Sequence, residues 1–338
     1  MSKILVIYTG GTIGMIKDPE TGQLSNVDFD LIYEHVPELK RLDVELDTMS
    51  LVEPIDSSNM QPSDWIDIAT MIHSSYEEYD GFVILHGSDT MAYTASALSF
   101  MFCGLKKPII LTGSQLPIGV IRTDGKENLI TAIEIAATKE KEGEALIQEV
   151  AVYFDYQLFR GNRSTKYSAE NFEAFRSPNY DVLCHAGVEI KYNYHKLYRS
   201  RMDELTLNTS FNARIANLKL FPGIDFDMYR SLFDKKKVDG ILLETFGAGN
   251  APSSTVFKEL LQNFIQDGGV VLNITQCSSG AAKQGMYKTS SVFNELGVIN
   301  GYDMTTEAAI TKMMLFLGEK KEGTSLLSMN IRGEMTLN

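Results

Sequence analysis

Five polar segments carry hydroxyl, carboxylate and amine groups that together could support nucleophilic catalysis. A hydroxyl nucleophile needs a base, donors that receive developing negative charge, and groups that orient the substrate. Thr12 and Ser88 offer hydroxyls, while Asp89 and Lys166 offer a carboxylate and an amine. The segments are Thr9-Gly10-Gly11-Thr12, Asp56-Ser57-Ser58-Asn59, His86-Gly87-Ser88-Asp89-Thr90, Thr112-Gly113-Ser114-Gln115 and Arg160-Gly161-Asn162-Arg163-Ser164-Thr165-Lys166.

The base in this chemistry is predicted to be a lysine rather than a histidine. No Gly-x-Ser-x-Gly elbow occurs, and His86 stands between an apolar run and Gly87, which favours a role in satisfying backbone groups of a turn. A lysine can serve instead when burial and a neighbouring carboxylate let it share a proton. Lys166 and Asp89 are the natural pair.

Phosphate, cofactor and metal chemistry are not favoured. The segment Thr9–Gly14 matches neither Gly-x-Gly-x-x-Gly nor a Walker loop, and no acidic residue closes a second strand about 20 residues later. The five histidines show no ligand spacing with one another or with the three cysteines. We therefore expect no metal and no cofactor.

Strands that alternate with helices must bring these segments together. Apolar, β-branched runs predict buried strands over 3–8, 81–85, 108–111 and 150–154, each leading into small polar residues. Such an order predicts an α/β fold with a mainly parallel sheet. Right-handed crossovers then place the loops at one sheet edge, where ligands collect.

The connecting segments carry helix signals and one candidate lid. Pro62 opens a predicted helix, another runs from Ala92 to Phe102, and Asp124 with Glu127 resembles a capping box for a third. Residues 15–28 show no apolar period and predict a mobile loop, either a lid hinged at Gly14 or an ordinary surface loop.

A second domain follows a change in pattern after residue 187. We expect an N-terminal α/β catalytic domain over 1–190, a linker over 191–214 and a smaller C-terminal α/β domain over 215–338. Two more buried strands are predicted over 240–244 and 269–273. Ser253 or Ser254 is predicted to cap a helix, and an amphipathic helix is predicted over 305–317.

Composition limits the partners and the compartment. The formal charge of -13 does not favour nucleic acid, and three scattered cysteines do not make a disulfide framework. Residues 1–8 lack the features of a signal peptide, and no apolar run approaches the roughly 20 residues that cross a bilayer. We therefore expect a cytoplasmic protein that binds neither membrane nor nucleic acid.

The same segments resemble the signatures of the bacterial-type L-asparaginases over essentially the whole chain. The Asp56-Ser57-Ser58 form of the binding loop resembles the cytoplasmic type I branch. The segments that carry the resemblance are Thr9-Gly10-Gly11-Thr12-Ile13-Gly14, Gly81-Phe82-Val83-Ile84-Leu85-His86-Gly87-Ser88-Asp89-Thr90-Met91, Thr112-Gly113-Ser114-Gln115, Arg160-Gly161-Asn162-Arg163, Lys166, Gly249-Asn250-Ala251-Pro252 and Thr275-Gln276-Cys277.

The resemblance implies a role for each site residue. Thr12 matches the nucleophile that forms an acyl-enzyme, and Ser88, Asp89 and Lys166 match the groups that relay protons and activate water. The resemblance also implies a substrate-binding role for five residues, two of which share the catalytic role. The residues that would hold the substrate's α-amino and α-carboxylate groups are Asp56, Ser57, Ser58, Ser88 and Asp89.

Two positions depart from the family pattern. Ser88 stands where threonine is usual, which loosens the side chain but keeps the hydroxyl. Leu24 follows Gln23 where many members have a lid tyrosine, and Tyr287 is a candidate replacement near the nucleophile.

The resemblance implies hydrolysis of L-asparagine to L-aspartate and ammonia by a homodimer or a dimer of dimers. Alternatives are a broad glutaminase-asparaginase and a non-catalytic amino-acid sensor. A related amidotransferase subunit acting on charged transfer RNA would need a basic surface, which the acidic composition does not favour.

Overall fold

The polypeptide forms two compact units, each built around its own sheet. A computed structural model describes residues 1–17, 24–26, 36–211, 214–285, 288–318 and 323–337. The units comprise Met1–Leu207 and Asn208–Asn338.

The larger unit is built on an eight-stranded sheet with the order β13-β12-β9-β8-β7-β5-β1-β4. The described strands are β1 (Ser2–Tyr8), β2 (Met15–Lys17), β3 (Leu24–Asn26), β4 (Val44–Ser50), β5 (Gly81–Leu85), β6 (Phe102–Cys103), β7 (Ile109–Thr112), β8 (Val150–Phe154), β9 (Gln157–Arg160), β10 (Thr165–Lys166), β11 (Phe175–Arg176), β12 (Cys184–Ala186), β13 (Ile190–Tyr192) and β14 (Thr206–Leu207). The α-helices are α1 (Pro62–Ser74), α2 (Met91–Met101) and α3 (Gly125–Ala137). Short 3-10 turns occupy Thr12–Gly14, Pro37–Arg41, Ser57–Asn59, Gly161–Arg163 and Tyr194–Lys196.

The centre of this sheet is parallel, as predicted. Strand β1 pairs in parallel with β4 and β5, and the parallel pairing continues through β7 to β8. All five residues of β5 are buried, because helices cover both faces of a doubly wound sheet. The polar segments after β1 and β5 therefore leave the sheet at the same edge.

The other edge of the sheet is antiparallel. Strand β9 turns back on β8, and β12 and β13 continue antiparallel beyond it. Asp155 and Tyr156 make the turn with φ of 47° and 62°, a left-handed conformation that glycine usually marks in a sequence. Since neither residue is glycine, the sequence pattern carried no signal for this hairpin.

The smaller unit contains a four-stranded parallel sheet with the order β15-β16-β17-β18. Ser254 caps the first helix, where its Oγ accepts a hydrogen bond from the backbone N–H of Phe257 over 3.3 Å. That helix, whose cap was predicted at Ser253 or Ser254, buries Phe257, Leu261 and Phe264. The elements are β15 (Ile215–Lys219), a 3-10 turn (Phe226–Phe233), β16 (Gly240–Thr245), α4 (Thr255–Gln266), β17 (Val270–Thr275), α5 (Lys288–Leu296), β18 (Ile299–Asn300), α6 (Thr306–Gly318) and α7 (Gly323–Leu327).

A buried ion pair holds the C-terminal segment of the smaller unit. Lys312 Nζ donates to Glu334 Oε1 over 2.6 Å, and both side chains are 0% exposed. Lys312 also donates to the carbonyl of Met329, and Glu334 accepts from the backbone N–H of Arg332. Burial lowers the pKa of Lys312, since desolvation disfavours its charged form.

Two local predictions were wrong. Within 15–28, β2 and β3 pair as antiparallel strands rather than forming a loop. Asp124 and Glu127 form no capping box: the Asp124 carboxylate accepts from the backbone of Gln115 and Leu116, and Glu127 accepts from Tyr153. At Asp124 and Glu127, hydrogen-bond partners outside the helix replace the local cap.

Among the described residues, no helix combines the length and the apolar character that a membrane span requires.

Candidate active site

Three loops meet at the carboxyl ends of β1 and β5. Thr9, which follows β1, donates from its backbone N–H to the carbonyl of Leu85 over 3.0 Å. Its own carbonyl accepts from the backbone N–H of Ile55 over 2.8 Å. The loop before the Ser57–Asn59 turn is thereby fixed against the loop that carries Thr12.

Glycines allow these loops to come into close contact. Gly11 has a φ of +90°, and a Cβ placed on it would lie 2.5 Å from Cα of Gly87. A Cβ on Gly87 would in turn lie 2.5 Å from Oγ of Ser57. We call this contact of Gly11, Gly87 and Ser57 the glycine junction. It brings the segments of Thr12, Ser57 and Ser88 into one place, as the sheet topology predicts.

Thr12 begins the 3-10 turn that follows Gly11. Its side chain is partly exposed, whereas Ile13 and Gly14 behind it are buried. Gly14 lies against the ring of Tyr8, and a Cβ there would overlap the phenol. Burial raises the pKa of Tyr8 to about 12. A rigid aromatic platform therefore supports the turn, a role the sequence did not reveal because Tyr8 reads as an ordinary strand residue.

Lys166, Asp89 and Ser88 form a direct hydrogen-bonded group. Lys166 Nζ donates to Asp89 Oδ1 over 2.5 Å and to Ser88 Oγ over 3.0 Å. The Lys166 side chain is 18% exposed and that of Asp89 is 65% exposed, so the pair opens to solvent on the carboxylate side. The pairing of Lys166 with Asp89 is the one predicted from the sequence.

Lys166 reaches this group from the hairpin of β10 and β11 rather than from a parallel strand. Lys166 pairs with Phe175, whose ring packs on Phe154 with centroids 5.0 Å apart. The guanidinium of Arg176 lies 3.4 Å above the ring of Tyr167. These contacts fix the hairpin and hence the position of the amine.

Gln115 also contacts the hydrogen-bonded group, although its residue type did not predict a role. Its Oε1 accepts from Ser88 Oγ over 3.4 Å, and its Nε2 donates to the carbonyl of Asn171 over 2.9 Å. Its backbone N–H donates to the carboxylate of Asp124. The only available signal was its place in the motif Thr112–Gln115, at the end of β7.

The loop 56–58 presents polar groups beside the junction. The Asp56 carboxylate accepts from the backbone N–H and from Oγ of Ser58, and these hydrogen bonds lower the pKa of Asp56. Ser57 is 3% exposed, and its carbonyl accepts from Thr90 Oγ1 over 2.7 Å. Asp56 and Ser58 are exposed, so they are the members of this loop that a ligand can reach.

His86 is a structural residue, as predicted. Its Nδ1 lies 2.7 Å from the carbonyl of Gly87 and its Nε2 lies 2.8 Å from Thr94 Oγ1. Thr94 Oγ1 also accepts from Nε1 of Trp65. Burial lowers the pKa of His86 to about 4, so the ring is neutral at pH 7 and holds the carbonyl of Gly87 in place.

Other candidates fall outside this group. Tyr287 and most of the proposed lid lie outside the described residues. No cluster of three or more histidine, cysteine, aspartate or glutamate side chains suited to a metal ion occurs in the part of the chain that the structure describes.

The arrangement combines a hydroxyl on a braced turn with an amine held between a carboxylate and a second hydroxyl. Lys166 can pass a proton through Ser88, while Asp89 balances the charge of the amine. Such a group can support acyl transfer through a covalent intermediate.

The sequence of this chain is similar to those of known proteins. Residues 3–198 match the family described as Asparaginase, N-terminal, and residues 214–328 match the Glutaminase/Asparaginase C-terminal domain. L-asparaginase 1 of Escherichia coli (strain K12) is 41% identical over 98% of this chain and 98% of its own.

Two solved structures are similar throughout. L-asparaginase I from Vibrio cholerae has a TM-score of 0.89 at 38% identity and covers 99% of each chain. The thermostable L-asparaginase from Thermococcus kodakarensis has a TM-score of 0.90 at 32% identity, covering 99% of this chain and 100% of its own.

Proposed function

The chain belongs to the asparaginase family, and from that premise we propose that it hydrolyses L-asparagine to L-aspartate and ammonia. The observation that carries the proposal is the placement of Lys166 Nζ within hydrogen-bond distance of Asp89 and Ser88. That group adjoins the Thr12 turn through the glycine junction.

In the first half-reaction, Thr12 acts as the nucleophile. Its Oγ1 attacks the side-chain carbonyl carbon of asparagine, and backbone N–H groups at Gly11 and Ser88 stabilise the oxyanion. The hydroxyl proton passes to the leaving nitrogen through Ser88 and Lys166. The carbon–nitrogen bond then breaks, which releases ammonia and leaves an aspartyl ester on Thr12.

In the second half-reaction, water replaces ammonia. Asp89 and Lys166 orient the water and remove its proton as it attacks the ester carbonyl. The carbon–oxygen bond to Thr12 breaks, the proton returns to the threonine oxygen, and L-aspartate leaves. Because Lys166 is already paired with Asp89, the proton can move without any rearrangement of the two side chains.

Substrate orientation is assigned to the loop 56–58 together with Ser88 and Asp89. Carboxylates of Asp56 and Asp89 suit the substrate's α-ammonium group, while the hydroxyl of Ser58 suits its α-carboxylate. Hydrogen bonds from Ser58 favour the ionised form of Asp56, which supports its part in holding a cation. The exposure of Asp56 and Ser58 supports the same assignment.

Family membership also leads us to propose a cytoplasmic homo-oligomer, a dimer or a dimer of dimers, in which a neighbour's second domain completes each site. Analytical ultracentrifugation with active-site titration tests this assembly. A fully active monomer would contradict it.

The activity is tested by ammonia release on addition of L-asparagine. Release with L-asparagine and a much smaller specificity constant for L-glutamine is the expected result. Comparable specificity constants would instead indicate a broad glutaminase-asparaginase. Saturable binding of L-asparagine without ammonia would identify an amino-acid sensor and refute the hydrolytic function.

A further inference from the structure

A cavity lies at the antiparallel edge of the larger sheet. It has a volume of about 500 Å³ and is formed by β9, β12 and β13 together with the segment 177–182. None of Thr12, Ser88, Asp89 and Lys166 lines it. Small-molecule sites commonly have volumes of about 300–1,000 Å³, so this cavity is large enough for a ligand of its own.

Three polar side chains form a row across the strands of this cavity. Gln157 on β9 stands opposite His185 on β12, and His185 stands opposite Lys191 on β13. Directly opposed residues of antiparallel strands project from the same face of a sheet. A carboxamide, an imidazole and an ammonium group therefore stand side by side along one wall.

The polar groups of this wall lack protein partners. Within the described part of the chain, the side chains of Gln157, His185, Lys191 and Asn193 make no hydrogen bond or ion pair. The Oγ atom of Ser177 is buried and has no partner among the described residues either. Leaving a buried polar atom such as Ser177 Oγ unsatisfied costs about 1–3 kcal/mol. His185 and Lys191 are exposed, and Gln157 and Asn193 are partly exposed, so a ligand can reach these four side chains without breaking a contact within the protein.

The charges around the cavity favour an anion. Asp181 is the only carboxylate among the residues that line it, and it is paired with Lys196 over 2.8 Å. Lys191 thus faces the cavity without a balancing carboxylate, in a protein whose formal charge is -13.

We propose that this cavity binds a small oxyanion, a carboxylate or a phosphate, at a site separate from the candidate active site. Lys191 supplies the charge, and Gln157, Ser177 and Asn193 supply hydrogen-bond donors. The proposal does not depend on the hydrolytic function.

The test follows the ring signals of the five histidines by two-dimensional NMR while inorganic phosphate or succinate is added to the whole chain. His185→Gln identifies the signal of that ring, and sodium chloride at equal ionic strength controls for screening. A saturable shift of the His185 signal with either probe is expected. A response to one probe alone identifies whether carboxylate or phosphate is the ligand.

Matched variants localise the binding. Lys191→Gln should weaken it about tenfold or more, because a hydrogen bond to a charged group is lost. Ser177→Ala should weaken it severalfold without altering charge. Lys141→Gln makes the same charge change at an exposed position outside the cavity and should leave affinity unchanged.

Two results would overturn the proposal. One is the absence of a saturable shift with both probes, or a shift that sodium chloride reproduces. The other is equal affinity in Lys191→Gln and Lys141→Gln. Ammonia release, measured on the same samples, should be unaffected by Lys191→Gln, so failure here is distinguishable from failure of the hydrolytic function.

Discussion

Removal of the Thr12 hydroxyl should separate binding from chemistry. Thr12→Val keeps the branched shape but removes the proposed nucleophile, so we expect kcat to fall by at least about a thousandfold and binding of L-asparagine, the proposed substrate, to be retained. Ammonia release and calorimetric titration measure the two effects. Thr12→Ser, which keeps a hydroxyl, serves as the control, and near-normal turnover of the valine variant would exclude Thr12 as nucleophile.

His86 should make stability depend on pH. Its pKa is lowered to about 4 by burial, against about 6.5 in an unfolded chain. Between these values the unfolded state binds more protons, so stability is highest above pH 6.5 and falls as the pH drops towards 4. A shift of this size corresponds to about 3 kcal/mol.

Urea unfolding of the wild type and His86→Gln at pH 7 and pH 4.5 measures this dependence. The variant should be less stable at pH 7 but should lose less stability on acidification. Equal losses in the two proteins would show that another group controls the effect.

At single positions, the residue type predicted the candidate site where the chemistry requires a particular functional group. Hydroxyl, carboxylate and amine side chains after apolar runs identify Ser88, Asp89 and Lys166 as partners. The roles of Gln115 and Tyr8 could not be predicted from the sequence. They arise from contacts with Ser88 and Gly14, which the neighbouring residues in the sequence do not indicate.

The loops at the edge of the parallel sheet behave as one element, and Gly11 should be the position where they are most sensitive. Gly11→Ala places a Cβ 2.5 Å from backbone atoms of Gly87, so the loops must separate. Since displacements of about 1 Å can cost a hundredfold in rate, we expect activity to fall at least that far. Steady-state kinetics and thermal unfolding measure the two consequences.

Gly143→Ala is the matched control for this prediction. Gly143 has the same φ of +90° as Gly11, but nothing lies within 4 Å of a Cβ placed there. It should lose only the roughly 1–2 kcal/mol of a left-handed conformation and keep its activity. Similar behaviour of the two variants would mean that backbone conformation, rather than contact between the loops, is what matters.

Sequence patterns predict helices and strands well where the spacing of the apolar residues agrees with the residues that begin or end the element. Strand β5 and helix α4 are of this kind, with a wholly apolar run in the first and Ser254 followed by periodic apolar residues in the second. They fail where a tight turn contains no glycine, as between β8 and β9. They also fail at Asp124, whose carboxylate accepts from the backbone of Gln115 instead of capping the helix.

For the molecule as a whole, the buried pair of Lys312 and Glu334 should contribute disproportionately to the stability of the smaller unit. Lys312→Met leaves Glu334 buried without its cation, and loss of one partner of a buried pair typically costs about 3–5 kcal/mol. Denaturant unfolding, followed by a probe in the smaller unit, measures the change. The double variant Lys312→Met, Glu334→Gln should recover part of that loss.

An exposed pair in the same unit provides the control. Lys237 lies 4.0 Å from Asp234, and its side chain is 65% exposed, so Lys237→Met should change stability by no more than about 0.5 kcal/mol. Strict additivity of the two substitutions at 312 and 334 would show that their charges are not coupled.

The glycine junction restricts how this protein could be redesigned. The backbones of Gly11 and Gly87 meet, and Gly87 lies against the side chain of Ser57, with no space for a Cβ on either glycine. A segment transplanted from a relative at any one of these positions would therefore have to be accompanied by the other two. A laboratory that seeks to admit a bulkier amide should therefore exchange the three segments as a set. Libraries that vary one segment at a time would mostly return misfolded chains.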